Sequence, residues 1–96
     1  LAEAIQWMGA NAMSNFDNAG AGSMDLLHLF ALTALAEGWA RMAKVAIERR
    51  GGDPYYANKL LTGRYFLARI LPDAGAHLEK LKSGAEPVMA LAAAAF

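Results

Sequence analysis

Apolar residues recur at helical spacing along three stretches of this chain. From Leu1 to about Ser14, Leu1, Ala4, Ile5, Met8 and Ala12 share one face, and Glu3, Gln6 and Asn11 fall elsewhere. Asn15 to Gly22 (NFDNAGAG) is rich in Asn, Asp and Gly and reads as a loop, with Ser23 as the cap of the next helix. That helix is predicted from about Met24 to Arg50. His28, Leu32, Leu35, Trp39, Met42 and Ala46 form one stripe, and Glu37, Arg41, Lys44 and Glu48 the opposite one. Arg49 and Arg50 suit a helix C-terminus, and Gly51-Gly52 ends it.

Asp53-Pro54 restarts the helix, an acid at the cap followed by proline at the first helical position. Tyr56, Leu60, Gly63, Leu67, Ile70, Ala74, His77 and Leu81 then make one stripe. Pro72 lacks an amide hydrogen and is expected to kink this helix near Ile70-Leu71. Ser83-Gly84 closes it, Pro87 to Leu91 form a short turn, and Ala92 to Phe96 have no clear pattern. The short turn at Gly51-Asp53 makes an antiparallel hairpin, in which residues level with each other have numbers that sum to about 104. Trp39 should therefore lie near Tyr65 and Phe66. The fold expected is all-α, an antiparallel up-down helical bundle fragment of three main helices, the third kinked at Pro72, forming a single helical domain over residues 1–96.

Composition agrees: 22 of 96 residues are alanine, and Val, Ile and Thr together number seven. Cysteine is absent, which excludes disulfides, thiolate metal sites and cysteine nucleophiles. Net charge is zero, so no basic excess favours nucleic acid or an anionic membrane. Charge is nevertheless segregated. The first 40 residues hold four acids and no base, and all nine basic residues lie between Arg41 and Lys82. The most apolar run, Leu26 to Ala36, is shorter than the ~20 residues of a membrane span and reads as a buried helix. Hydrophobic residues make up 56%, more than a domain this small can bury, so some should face a partner, another copy or a missing part of the chain. The opening Leu1-Ala2-Glu3 reads as a piece of a longer chain.

Candidate chemistry is sparse. His28 and His77 fall at one level of the hairpin, with Asp25 and Asp73 one turn before them. That set could hold a divalent metal; the alternative is ordinary packing and solvation. Gly20-Ala21-Gly22 resembles part of a phosphate loop but lacks the preceding strand and the third glycine. Lys59 and Arg64, with Arg69, could face an anion; surface solvation or an Arg64–Glu37 pair is the plainer reading. Trp39, Tyr55, Tyr56, Tyr65 and Phe66 could line a pocket, though at this spacing they read first as core. No residue is assigned as catalytic, cofactor-binding or metal-ligating. A stand-alone helical bundle that binds a metal or ligand, or self-associates, remains the alternative reading.

Asp53-Pro54-Tyr55-Tyr56-Ala57-Asn58-Lys59-Leu60-Leu61-Thr62-Gly63-Arg64-Tyr65-Phe66, followed by Ile70-Leu71-Pro72, resembles the last long helix of one branch of the acyl-CoA dehydrogenases. Leu29 to Leu32, Gly38 to Ala43 and the tail Ser83 to Leu91 resemble the same chains. The branch carries an extra C-terminal helical domain and includes the 3-methylmercaptopropionyl-CoA dehydrogenases. The sequence departs at Gly63, where that pattern has alanine; glycine there weakens the helix or permits a close helix contact. The resemblance implies a cytoplasmic parent enzyme with FAD that oxidises an acyl-CoA to a 2,3-enoyl-CoA. A glutamate takes the α-proton, flavin N5 takes the hydride, and electrons leave to an electron-transfer flavoprotein. It also implies that the catalytic body lies upstream, that this chain is an accessory C-terminal domain packed on it, and that the whole is a homo-oligomer.

Overall fold

The computed structural model describes residues 1–95. Among them the chain is all helical, with no strand. Helix α1 spans Ala2–Asn11, α2 Phe16–Arg49, α3 Pro54–Tyr65, α4 Asp73–Lys82 and α5 Glu86–Met89; Phe66–Ile70 form a π-helical turn and Ala93–Ala95 a 3-10 turn. Phe96, the end of the patternless tail, lies outside the described residues.

The chain divides into two compact units. One comprises residues 1–30 with the chain from Gly75 onward, and the other residues 31–74. In the first, Ala4, Leu29, Leu81 and Ala85 are buried; in the second, Leu32, Ala46 and Phe66 are.

The expected loop at Asn15 to Gly22 is instead the first two turns of α2. Asn15, not Ser23, is the cap: its Oδ1 accepts the Asp17 amide at 3.0 Å, and Asp17 supplies the negative charge that a helix N-terminus favours. Ser23 lies inside the helix and donates to the Gly20 carbonyl at 3.0 Å. The helix survives its glycines because Gly22 is buried. A Cβ there would stand 2.9 Å from Met8 Cε and 3.3 Å from Leu81 Cγ, so the missing side chain is what lets α1 and α4 approach. Extended in this way, α2 has an 18-residue window of mean hydropathy 1.3, a length and composition that would also suit a bilayer. The run Leu26 to Ala36, expected to be buried, is mostly open: Leu29 and Leu32 are buried against this chain, whereas Leu27, Phe30 and Leu35 are exposed.

The second unit contains the hairpin. The Asp53 carboxylate accepts the Tyr55 amide at 2.9 Å with Pro54 behind it, as the sequence predicts. Trp39 stacks on Phe66 with centroids 6.1 Å apart, at the level the turn dictates. Gly63 does permit a close helix contact, since its Cβ would meet Trp39 Cε3 at 3.2 Å. The third predicted helix is interrupted rather than simply kinked. Pro72 offers no amide and its ring crowds the carbonyl four residues earlier, so the backbone widens ahead of it and the Leu71 amide reaches back five residues to the Phe66 carbonyl at 2.9 Å.

In the first unit α4 ends at Lys82, and Gly84 beyond it, with a φ of +72° that suits glycine, turns the chain. Asn18 holds that turn, accepting the Ala85 amide at 2.9 Å and donating to the Asn11 carbonyl at 3.2 Å.

Candidate functional site

Two clusters gather the residues with chemical potential, one in each unit. In the first, α2 and α4 bring His28 and His77 together, as the level rule predicts. Their rings are parallel within 7° at a centroid distance of 4.6 Å. His77 Nδ1 lies 2.9 Å from Asp25 Oδ1. A carboxylate only accepts, so the Nδ1 hydrogen points to Asp25 and fixes the tautomer. This arrangement does not suit a metal. Imidazole lone pairs lie in the ring plane, and stacked rings direct them side by side rather than toward one ion. Among the described residues no group of three or more His, Asp or Glu is arranged to hold one. The cluster instead ties α2 to α4.

In the second unit, Lys59 on α3 extends over the aromatic faces of α2 and α3. Its Nζ lies 5.1 Å from the Trp39 ring centroid and 5.9 Å from that of Tyr55. Tyr55 and Tyr56 meet edge to face at 5.4 Å. Arg49 donates to the Tyr56 hydroxyl at 3.3 Å, which holds the guanidinium above its ordinary pKa. Arg41 pairs with Glu37 at 2.6 Å, the i, i+4 pair their spacing on α2 favours, and Glu37 is thus not left for Arg64. Two hollows open beside Lys59. One, of about 320 Å³, is bounded by Arg41, Met42, Val45, Ala46, Tyr55, Tyr56 and Lys59. The other, of about 240 Å³, is bounded by Trp39, Ala43, Lys59, Gly63, Arg64 and Leu67 among others. The aromatic residues thus serve partly as packing and partly as open walls: Phe66 is buried, Trp39 and Tyr56 are half-buried, and Tyr55 and Tyr65 are exposed.

The third candidate, Gly20-Ala21-Gly22, is excluded as a phosphate loop. It lies more than four residues inside α2, so its amides are committed to helical hydrogen bonds.

The sequence reading missed two features. The Glu3–Lys82 pair, at 2.7 Å, joins residues 79 apart, and no local pattern signals it. A shallow hollow of about 460 Å³ between α1 and α2, walled by Ile5, Met8, Met13, Leu26 and Phe30, also went unseen, because periodicity within each helix does not show where two helices stand apart.

No curated protein and no solved structure matches the chain. One family model does, described as acetyl-CoA dehydrogenase C-terminal like, and it covers residues 1–92. With nearly the whole length matched, the chain belongs to the acetyl-CoA dehydrogenase C-terminal-like family.

Proposed function

We propose that this chain is the accessory C-terminal domain of a cytoplasmic FAD-dependent acyl-CoA dehydrogenase. Its work is to pack on the catalytic body and to contribute to a subunit interface. The observation that carries this reading is apolar surface left open in a chain of this family. Met13 is 76% exposed, Phe16 73%, Leu27 61% and Phe30 49%, and the α1–α2 hollow lies among them. Open apolar surface of this kind is where a partner docks.

The residues of this chain do not fit a flavin. Its hollows are open and largely apolar, and its one glycine-rich segment has its amides inside a helix. The flavin, the acyl-CoA site and the proton-abstracting glutamate belong to the body in this reading, and no catalytic step is assigned to the residues described here. The run from Asp53 to Phe66 supports the 3-methylmercaptopropionyl-CoA dehydrogenase-like branch. Its departure at Gly63 is accommodated by the Trp39 ring that rests there.

The test is the coding DNA upstream of Leu1. An open frame encoding a flavin-binding dehydrogenase body is expected. A start codon within a few residues of Leu1 would overturn the proposal. The 96-residue chain is expected not to bleach added FAD in the presence of an acyl-CoA.

A further inference from the structure

We infer that the hollow beside Lys59 binds a small amphipathic monoanion, an aliphatic carboxylate whose chain lies on Met42, Val45 and the two tyrosines and whose head meets the ammonium. This inference is independent of the accessory-domain reading. Three observations carry it. Lys59 is half-buried, and no carboxylate among the described residues lies within ion-pair distance of it. Its charge instead rests on the faces of Trp39 and Tyr55, which leave room for an anion. Arg41, also on the wall of this hollow, holds Glu37 at 2.6 Å; Arg49 donates to the Tyr56 hydroxyl; and Arg64 borders the other hollow.

The ligand class follows from that charge pattern. The hollow offers one unpaired ammonium with three rotatable donors, while the guanidinium on its wall, that of Arg41, already holds a carboxylate; that suits a single carboxylate better than a phosphate. The hollow, at about 320 Å³, is at the small end of ligand cavities, so a medium chain fits and a long one does not. Its walls are chiefly apolar side chains and ring faces, which cover one side of the aliphatic part.

The probe is sodium octanoate, titrated into the 15N-labelled 96-residue chain and followed by amide shifts at Val45, Tyr55 and Lys59. Saturable shifts confined to that group are expected. On the unmodified chain, 1-octanol should bind about fivefold more weakly, because it offers the same chain without the charge. Lys59→Met should cost a similar factor, and Lys59→Arg should restore most of it. Val45→Asp should weaken binding, whereas Leu67→Asp, on the wall of the other hollow, should not. Octanol binding as tightly as octanoate, an unchanged affinity in Lys59→Met, or equal losses from the two aspartates would each overturn the inference. So would the absence of any saturable shift at millimolar octanoate, or shifts that follow protein concentration alone, which would give the groove to a second copy.

Discussion

Replacing Leu81 by alanine tests how the first unit is held together. Leu81 is 1% exposed and lies over Gly22, with its Cγ 3.3 Å from where a Cβ on that glycine would stand. Leu81→Ala removes three carbons, or about 2.4 kcal/mol of transfer free energy at ~0.8 kcal/mol each. The residual cavity raises the expected loss to about 3 kcal/mol, within the range for buried leucines. For a domain of this size that is a fall in Tm of roughly 12–24 °C. Gly22→Ala supplies the second leg. In the native background alanine gains about 1 kcal/mol of helix preference over glycine, but Leu81 and the tip of Met8 must yield to it. With Leu81 truncated its share of that crowding is gone, the flexible Met8 tip has room to shift, and the new methyl fills part of the void. The two changes should therefore couple favourably by about 1 kcal/mol. Urea unfolding followed by circular dichroism gives the totals. A 5-fluorotryptophan label read by 19F NMR separates Trp7, in the first unit, from Trp39, in the second. A loss below about 1 kcal/mol for Leu81→Ala, or an equal effect of Gly22→Ala in both backgrounds, would refute the packing argument.

Trp39→Ala would cost about 3–5 kcal/mol were the ring fully buried; it is half-buried, so about 2 kcal/mol is expected, and a loss above 4 in urea titrations would show more cover on the ring than this chain provides. Asp53→Ala removes the α3 cap and should cost about 1 kcal/mol, with Asp53→Asn retaining most of it; equal losses from both would count against capping. Lys82 holds the Glu3 carboxyl below its ordinary pKa, chiefly by hydrogen bonding and then by charge attraction. Because the folded value is depressed, the stabilisation is present above the ordinary carboxylate range and is lost as pH falls through the folded value. NMR titration should place the Glu3 midpoint below that of an exposed glutamate, and Lys82→Met should return it; a Glu3 midpoint unmoved by Lys82→Met would break the assignment.

Local chemistry made part of this architecture readable. Gly51-Gly52-Asp53-Pro54 carries its own stop, cap and restart, and once that turn is fixed, arithmetic along two helices puts Trp39 on Phe66 and His28 on His77. Gly63 was half legible: its departure from the resembled pattern left a weakened helix or a close contact open, and the Trp39 ring decides for the contact. Asn15 to Gly22 was misread because asparagine and glycine favour loops locally, whereas the contacts that make glycine useful at position 22 come from Met8 and Leu81, one of them 59 residues away. The π-turn was half legible. Pro72 marks the disturbance, but the backbone absorbs it a turn earlier, at Phe66–Ile70. The histidine cluster was found by level and lost by orientation: spacing brings two rings together but does not determine whether their lone pairs converge or run parallel.

The first unit draws on both ends of the chain. Glu3 meets Lys82, Asn18 meets Ala85 and Asp25 meets His77. A ribosome releases these partners far apart in time. At ~5–20 residues per second, α4 follows Phe30 by roughly 3–10 s. During that interval residues 31–74, whose partners lie close together in sequence, can form their hairpin, while α1 and the start of α2 wait with Met8, Leu29 and Gly22 uncovered. The nascent chain thus presents the surface around Gly22 to chaperones before the helix that packs on it has been made, and a message truncated between Ala74 and Leu81 would yield a product that keeps the second unit and leaves the first without its lid.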